Sequence, residues 1–452
     1  MFLIIRRFIA LVATLAVVTA MSGCSESSRE VATGKGSIRG INTIVTAPEV
    51  SFLIEERNLG SIDFKENTGF NSFDDLSYNF NFDLFLPGVL TATRLTTQFI
   101  DVLADHDYTV VLTGTIANPS SFFWEDPVRE WSGTETFFEV FFAHLAPSID
   151  ELDVYFATTG TVPVLGQAVG SVSNGDRLPA LELEVGQYEL ILTAKDNPAA
   201  IIYQSVPLAA AAQSQVLVAV FDPDPSVLGN VGVNFIGHSG GSSILADINF
   251  PPQLRTLHAA FDTGNFDGYF KSDFTNIIYS DISFQELSPY AEVFDAATLV
   301  TLTPVGNSGA TIHEGDVSAS AGTKRTVVFA GVPGALFFIP LLDDARPLET
   351  FPIVRILNAS FSTAFLDVYI LPPGTPLEDL IIPQIRSIPT SADTGFAATS
   401  TGPLEFTVTL AGEKTPISTP LLLDLANGDI VDAIIVDTVN PGTVELIVFD
   451  SQ

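Results

Sequence analysis

The sequence contains few basic residues: 19 Lys and Arg stand against 53 Asp and Glu, and the formal net charge at pH 7 is −34. A chain with so few cations cannot neutralise a phosphate backbone, so the composition excludes nucleic acid as a natural partner. Hydrophobic residues make up 46% of the chain, which is enough to build cores and excludes a disordered protein.

Cysteine occurs once, as Cys24, which excludes an intrachain disulfide and a thiolate metal cluster. Two cations, Arg6 and Arg7, precede an apolar run over residues 8–21. This run is short and carries cations on one side only, which is typical of a secretory signal rather than a membrane span. We therefore expect residues 1–23 to be a signal peptide.

Ser22 and Gly23 place small side chains directly before Cys24, and this arrangement resembles the signal of bacterial lipoproteins, the lipobox. The resemblance implies cleavage before Cys24 and acyl chains on that residue, and several chains give stable anchoring. Ser25 rather than Asp follows the cysteine, which in lipoproteins of Gram-negative bacteria implies the outer membrane. Its periplasmic and outer sides both stay open, as does an ordinary signal peptide with an unrelated cysteine. Residues 24–36 are polar and lack periodicity, which predicts a tether.

Helical periodicity is nearly absent, and short β-branched runs alternate with turn residues instead. Near the end of each quarter of the chain, two such runs flank a turn, which predicts a β-hairpin. The paired runs are 108–115 and 122–124, 215–221 and 231–236, 326–331 and 335–340, and 432–437 and 443–449.

One polar residue, Asn or His, recurs about every hundred residues at the end of an apolar run. In three of the four copies an Asp follows nine positions later, and Ser51 takes its place in the first copy. The shared register identifies four internal repeats. The recurring positions are Asn42, His144, His258 and Asn358, followed by Asp153, Asp267 and Asp367. The predicted units are residues 37–135, 136–249, 250–348 and 349–452.

Each unit is predicted to be a β-sandwich. Leu152, Val154 and Phe156 alternate with Asp153 and Tyr155, as in a strand with one face in a core. Many short strands with turn signals between them are typical of immunoglobulin-type domains. The predicted fold class is therefore all-β, with tandem immunoglobulin-like antiparallel β-sandwich domains after a lipoprotein signal peptide.

A turn is expected between each recurring polar residue and the Asp that follows it. We therefore expect His258 and Asp267 to face each other across the first hairpin of the third unit, as a latch that fixes register. The alternative is a ligand or metal site in each unit. Asn358 disfavours it, because Asn replaces His neither as a base nor as a usual metal ligand.

The repeated strand that ends in His or Asn and is followed by Asp-x-Tyr resembles the bacterial domain of unknown function 4397 (DUF4397). The second unit carries the clearest motifs, with His144-Leu145-Ala146-Pro147, then Asp153-Val154-Tyr155 and later Val185-Gly186-Gln187-Tyr188. The first unit departs most, because Ser51 and Leu53 replace Asp and Tyr. The resemblance implies tandem domains in an envelope or extracellular protein, and it brings no established chemistry.

The segment Gly237-His238-Ser239-Gly240-Gly241 fits the nucleophile motif of α/β-hydrolases, so a lipid-anchored serine hydrolase using Ser239 is one alternative function. That chemistry needs a strand, a tight turn and a helix within a parallel sheet. Here the possible helix stops at Pro251-Pro252, and the repeat frame favours a polar linker.

A carbohydrate- or calcium-binding module is the second alternative, because acidic pairs can bind calcium and tryptophans can stack on sugars. No acidic pair matches an EF-hand loop, and 35 Phe against 9 Tyr and 2 Trp favours core packing. The segments concerned are Asp105-His106-Asp107, Asp222-Pro223-Asp224, Asp343-Asp344, and Phe122-Phe123-Trp124 with Trp131.

The leading hypothesis is a non-catalytic, lipid-anchored protein of the cell envelope. It presents four immunoglobulin-like domains, as a rod or a compact array, for binding, adhesion or structural spacing. We predict no catalytic residue, no metal site and no cofactor. The expected partners are the membrane, through Cys24, and an envelope protein or a glycan.

Overall fold

The computed structural model describes residues 31–294, 297–378 and 380–450. The predicted signal peptide, Cys24 and the first part of the tether lie outside the described residues. The described residues form strands, turns and irregular segments without a helix, which confirms the all-β prediction. Accordingly, no helix among them could cross a membrane.

Eight strands form in each of the first, third and fourth units, and nine in the second, counted over the described residues. The first unit holds β1 (Lys35–Asn42), β2 (Val50–Ile54), β3 (Arg57–Ile62), β4 (Asn71–Asp74), β5 (Ser77–Leu84), β6 (Thr93–Asp101), β7 (His106–Gly114) and β8 (Pro119–Pro127). The second holds β9 (Phe137–Leu145), β10 (Glu151–Thr158), β11 (Gly170–Ser173), β12 (Leu181–Glu184), β13 (Tyr188–Ala194), β14 (Asn197–Gln204), β15 (Gln215–Phe221), β16 (Gly232–Gly237) and β17 (Ser242–Ile244). The third holds β18 (Gln253–His258), β19 (Phe266–Phe270), β20 (Tyr279–Ile282), β21 (Ala291–Glu292), β22 (Ala297–Pro304), β23 (His313–Ser318), β24 (Lys324–Val332) and β25 (Ala335–Leu342). The fourth holds β26 (Ile353–Asn358), β27 (Phe365–Leu371), β28 (Ile385–Pro389), β29 (Ala397–Ala398), β30 (Gly402–Leu410), β31 (Leu421–Leu425), β32 (Ile430–Asp437) and β33 (Val444–Asp450).

The described strands of each unit pair into two sheets. In the first unit the strand orders are β4-β1-β7-β8, here called the first sheet, and β3-β2-β5-β6, the second sheet. The other units repeat both orders, and β17 adds a fifth strand to the first sheet of the second unit. No described sheet combines strands from two units. The unit boundaries themselves stay a prediction.

The sheets are not purely antiparallel, which corrects the sequence-based expectation. The first strand of each unit pairs in parallel with the seventh, as β1 does with β7 and β18 with β24. The two parallel strands are not joined by a hairpin: between them the chain crosses to the second sheet twice, for the second and third strands and for the fifth and sixth. The remaining neighbours are antiparallel, and several are joined by the predicted hairpins.

Each unit has its own core between its two sheets. Leu152, Val154 and Phe156 all belong to the core of the second unit, as their alternation predicted. The same alternation places Val50, Phe52 and Ile54 in the core of the first unit, and Leu366 and Val368 in that of the fourth.

The outer faces of the first sheets are also apolar, and they pack against one another in pairs. The first unit packs on the second, and the third packs on the fourth; these contacts are called the first seam and the second seam. The buried members of the first seam are Ile41, Phe64, Val111, Ala143, Leu145, Leu217, Ala219, Phe221 and Ile236. Those of the second are Leu257, Ala259, Val328, Ala330, Ile339, Leu341, Leu357, Ala359, Ile434, Val436 and Ile447.

Linker segments connect the two pairs of units. Before β26, the buried Arg346 donates hydrogen bonds from Nη1 to the carbonyl oxygens of Val45 (2.9 Å) and Ala47 (2.8 Å). Its other terminal nitrogen, Nη2, pairs with Asp63. After β15, Leu228 donates its backbone N–H to the carbonyl oxygen of Gly322 in the third unit (2.7 Å). These contacts fold the units into a compact array rather than a rod.

Candidate functional site: the repeated polar positions and the cleft between units

The recurring polar residues do not pair as the sequence suggested. His258 ends β18 in the first sheet of the third unit, whereas Asp267 lies on β19 in the second sheet. The segment between them crosses from one sheet to the other and is not a hairpin. The prediction that they face each other is therefore wrong, and the same holds for the other units.

The Asn and His side chains instead bind the backbone where the chain leaves the first sheet. In three of the four units, this side chain accepts a hydrogen bond from the backbone N–H two residues later in the chain. The atom pairs are Asn42 Oδ1 with the N–H of Ile44 (3.0 Å), His144 Nδ1 with that of Ala146 (3.2 Å), and Asn358 Oδ1 with that of Ser360 (3.1 Å).

The same side chains also donate hydrogen bonds to backbone carbonyl oxygens later in the chain. His144 donates from Nε2 to the carbonyl oxygen of Ile149 (3.1 Å), and His258 donates from Nε2 to that of Gly264 (2.9 Å). Burial lowers the pKa of both histidines and keeps the imidazoles neutral, as the paired donor and acceptor roles of His144 require. Asn358 serves equally, since Nδ2 donates to the carbonyl oxygen of Ile388 (3.1 Å).

Each recurring Asp lies on a central strand of the second sheet, and its carboxylate accepts hydrogen bonds from two neighbouring segments of the same unit. Their backbone donors lie at tight turns, where the chain adopts positive φ angles. Asp153 accepts from Ser171 Oγ (2.5 Å) and Asp196 N–H (2.8 Å), Asp267 from the N–H groups of Asp281 (3.0 Å) and Gly306 (2.8 Å), and Asp367 from those of Ser387 (2.7 Å) and Gly412 (2.8 Å). In all three units these carboxylates accept hydrogen bonds within their own unit.

The Ser239 motif forms the turn of the hairpin between β16 and β17, so the expected linker is corrected to a hairpin. Gly237 donates its N–H to the carbonyl oxygen of Gly241 (2.8 Å), and a strand follows where a nucleophile elbow needs a helix. The turn packs on the first unit, with Asn67 Nδ2 donating to the carbonyl oxygen of Gly240 (3.1 Å). A side chain at Gly240 would place Cβ 2.5 Å from the Cα of Gly69, so glycine is required there.

Two of the acidic residues considered for calcium, Asp224 and Asp343, bind side chains of the protein instead. Asp224 forms an ion pair with Lys65 of the first unit at 2.7 Å, and both side chains are buried. Asp343 accepts hydrogen bonds from Tyr290 and Thr326, each at 2.7 Å. Among the described residues, no group of three or more His, Cys, Asp or Glu side chains is placed to hold a metal ion.

Sequence analysis missed the arginines in the seams. Arg255 and Arg355 stand three residues before the recurring polar position, on the outer face of the strand, and Arg39 does the same in the first unit. Arg355 binds both carboxylate oxygens of Asp432, at 2.6 and 2.9 Å, and lies 3.4 Å from Asp343. Their fixed offset from the polar position was the signal that could have found them.

In the first seam the equivalent arginine, Arg39, has different partners. Arg39 donates from Nε to Thr109 Oγ1 (3.0 Å) and lies over the ring of Phe70, and burial lowers its pKa to about 10. Asp107 stands nearby, 3.8 Å from His238 Nδ1, and burial raises its pKa. A small cavity of about 30 Å³ remains between these side chains.

A larger cleft, of about 860 Å³, lies between the first unit and the third and fourth units. Phe85 lines one wall, and Phe351 and Phe396 line the opposite one. Arg346, which joins these units, also lines the cleft, as does Asp344. The volume falls within the range of small-molecule and peptide sites, about 300–1,000 Å³. Sequence analysis could not find this cleft, because its walls come from distant parts of the chain.

Residues 252–369 match the sequence profile of a family described as a domain of unknown function, DUF4397. The chain therefore contains a DUF4397-like domain, as the motif resemblance predicted. The match covers the third unit and the first two strands of the fourth, whereas the motifs are clearest in the second.

No curated protein matches the chain. Among solved structures, a similar chain comes from work on "Alpha-glucan recognition by family 41 carbohydrate-binding modules from streptococcal virulence factors". The similarity covers 43% of this chain and 95% of that one, at 10% identity and a TM-score of 0.17. A score this low carries no argument about function.

Proposed function

We propose that this protein is a non-catalytic, lipid-anchored component of the bacterial cell envelope, whose β-sandwiches form a rigid scaffold for binding or spacing. One observation carries the proposal: the apolar outer faces of the first sheets are buried in two seams. Tandem units joined only by flexible linkers would present those faces to water. Buried seams are what a fixed display of units requires.

The recurring polar side chains support the same conclusion. In the second, third and fourth units, His or Asn and the Asp that follows hydrogen-bond to groups of their own unit. Groups bound in this way hold loops and turns in place. They therefore serve the scaffold rather than a reaction.

Anchoring is tested with Cys24→Ser in cells that express the full chain. We expect the wild-type protein in the membrane fraction with incorporated labelled fatty acid, and the variant released and unlabelled. Ser25→Ala is the matched control, which should keep both label and membrane association. A wild-type protein without the label, or a cleaved Cys24→Ser protein that remains in the membrane fraction, would contradict the lipid anchor; an uncleaved Cys24→Ser chain is held by its apolar run over residues 8–21.

Catalysis by Ser239 is tested in a separate experiment with a chromogenic ester. The hairpin geometry predicts that Ser239→Ala leaves any measured hydrolysis unchanged, as does the control Ser243→Ala on the neighbouring exposed strand. Hydrolysis that is lost in Ser239→Ala and kept in Ser243→Ala would replace the scaffold proposal with a serine hydrolase.

A further inference from the structure

The cleft between the first unit and the third and fourth units has the dimensions of a binding site. Its volume is about 860 Å³, and three units supply its walls. The walls are held in place at Arg346, because its guanidinium binds the Val45 and Ala47 carbonyl oxygens and pairs with Asp63. Glu349 adds a backbone hydrogen bond to the carbonyl oxygen of Thr46 (3.1 Å). The space therefore belongs to the folded molecule and is not a gap between loose domains.

The cleft walls carry apolar and aromatic surface. Phe85 from the first unit is 51% exposed, so part of its ring is accessible from the cleft. Opposite it lie Phe351 and Phe396, which are partly buried against Leu348 and Ile353. Two aromatic walls facing one space suit a ligand with an apolar body.

The positive charges of the cleft are already neutralised. Arg346 pairs with Asp63, and Arg355 binds Asp432 on both carboxylate oxygens and lies close to Asp343. Neither guanidinium is therefore available to attract an anionic ligand.

Three further carboxylates line the cleft: those of Glu49, Asp344 and Asp393. No described cation forms an ion pair with any of them. Asp344 is exposed to solvent, and desolvation raises the pKa of its carboxyl. A cation placed beside it would be screened less than at an open surface.

We propose that this cleft binds an organic cation, an amine or guanidinium group carried on an apolar body, between the aromatic side chains and the exposed carboxylates. The carboxylates would attract the charge, and the exposed Phe85 ring would add cation–π attraction. Phe396 already has the Arg355 guanidinium over its ring, 4.4 Å from the centroid, and would contribute apolar contact. The net charge of −34 draws cations towards the molecule. This inference goes beyond the scaffold function and does not depend on the anchor, so the anchoring experiment and the binding experiment can fail independently.

The test uses three dansyl probes of similar size: dansylcadaverine, which carries an amine, its neutral N-acetyl derivative, and anionic dansylglycine. The mature chain, residues 24–452 with Cys24→Ser, is used, so that neither the signal peptide nor acyl chains nor detergent bind the dyes. We expect fluorescence titration to show the cationic probe binding about tenfold more tightly than the neutral one. The anionic probe should bind most weakly, and salt should weaken only the cationic probe.

Variants locate the site. Asp344→Asn with Asp393→Asn should weaken the cationic probe about tenfold, whereas Asp262→Asn with Asp316→Asn, which removes two exposed charges elsewhere in the third unit, should not. Phe85→Ala should weaken it about threefold, whereas Phe99→Ala, with a side chain 56% exposed outside the cleft, should not. Equal affinity for all probes, no binding of the cationic probe, or equal losses in the cleft and control variants would each overturn the proposal.

Discussion

The two seams use the same outer faces of the same kind of sheet, yet they are filled differently. Ile41 in the first seam and Leu357 in the second occupy equivalent positions, and both are fully buried. Around Leu357 the second seam is largely aliphatic, whereas Phe122 and Trp124 fill much of the first. One backbone geometry thus accepts two side-chain solutions, provided that the total volume fills the space.

The charges buried beside the seams differ more than the apolar contacts do. In the second seam, Arg355 is held by Asp432 and Asp343 with good geometry. In the first, Arg39 has one side-chain hydrogen bond, to Thr109, and the ion pair of Asp107 is with His238 at 3.8 Å, whose side chain is 45% exposed. The first seam has ion pairs at other positions, Lys65 with Asp224 and Arg177 with Asp126. The seams therefore differ in whether the arginine three residues before the recurring polar position has a carboxylate partner: Arg355 has one, and Arg39 does not.

The largest effect on stability is expected when the paired arginine of the second seam, Arg355, is removed. Arg355→Ala removes the guanidinium that binds both carboxylate oxygens of Asp432 and lies 3.4 Å from Asp343, at a cost of about 3–5 kcal/mol in the free energy of unfolding. Urea denaturation at pH 7 measures the loss. The exposed Arg386→Ala is the control, with an expected change of less than about 0.5 kcal/mol. Arg39→Ala should cost less than Arg355→Ala, and an equal or larger loss would break the comparison.

The second prediction concerns the apolar contacts. Leu357→Ala and Ile41→Ala each open a cavity in a seam and should each cost about 2–4 kcal/mol. Thermal or urea unfolding gives the value, with Leu422→Ala, at an exposed position of the fourth unit, as the control. A clearly smaller loss for Ile41→Ala would show that the aromatic seam closes around the deletion and is the more adaptable of the two.

The third prediction is that neutralising a buried carboxylate changes the free energy of unfolding in opposite directions in the two seams. Because burial raises the Asp107 pKa, the folded protein holds this proton more tightly than the unfolded chain does. The ionised carboxylate therefore opposes folding, and the penalty develops as pH rises above the ordinary pKa of 3.8 through the folded-state value.

Asp107→Asn should stabilise the protein by about 1 kcal/mol at pH 7, and the gain should vanish at low pH. Asp432→Asn in the second seam is the matched comparison and should destabilise at pH 7. Urea unfolding from pH 3 to 8 measures both variants. A destabilised Asp107→Asn protein would show that the two seams use their carboxylates alike.

The smallest effect on stability is expected at His258 and Asn358, which end β18 and β26 beside the second seam. His258→Asn copies the residue at Asn358, so the cost should stay under about 1 kcal/mol at pH 7. Since burial lowers the pKa of His258, the wild type loses stability as pH falls below the ordinary value of 6.5, and the variant should lose less. Melting curves at pH 5 and 7 test this. An identical pH response in both proteins would count against a buried neutral histidine.

Periodicity predicted the strands well because each core strand has one apolar face. The run 215–221 coincides with β15, and Leu152, Val154 and Phe156 lie in a core. The connection after His144 was wrongly predicted to be a hairpin. Alternation of apolar and polar residues is the same whether the next strand pairs in the same sheet or lies in the opposite one. Local sequence carries the period of a strand but not the sheet to which it belongs.

Contacts between units escaped sequence analysis for a related reason. Arg346 lies in a short linker, and its partner Asp63 is 283 residues earlier. Nothing in the linker composition names a partner at that distance. The cleft, whose walls depend on this contact, is a product of how the units assemble, whereas the repeated Asp and His positions belong to single units and left a pattern in the sequence.

The Arg346 contact also sets an order in time. Val45, Ala47 and Asp63 leave the ribosome long before Arg346 is made, and at about 5–20 residues per second the interval is about 15–60 s. The last strand of the second unit ends at Ile244, about a hundred residues before Arg346, so for about the last 5–20 s of that interval the first and second units are complete and can close their seam. The cleft can be completed only afterwards, so a chain interrupted in its third unit would hold a finished seam and no cleft.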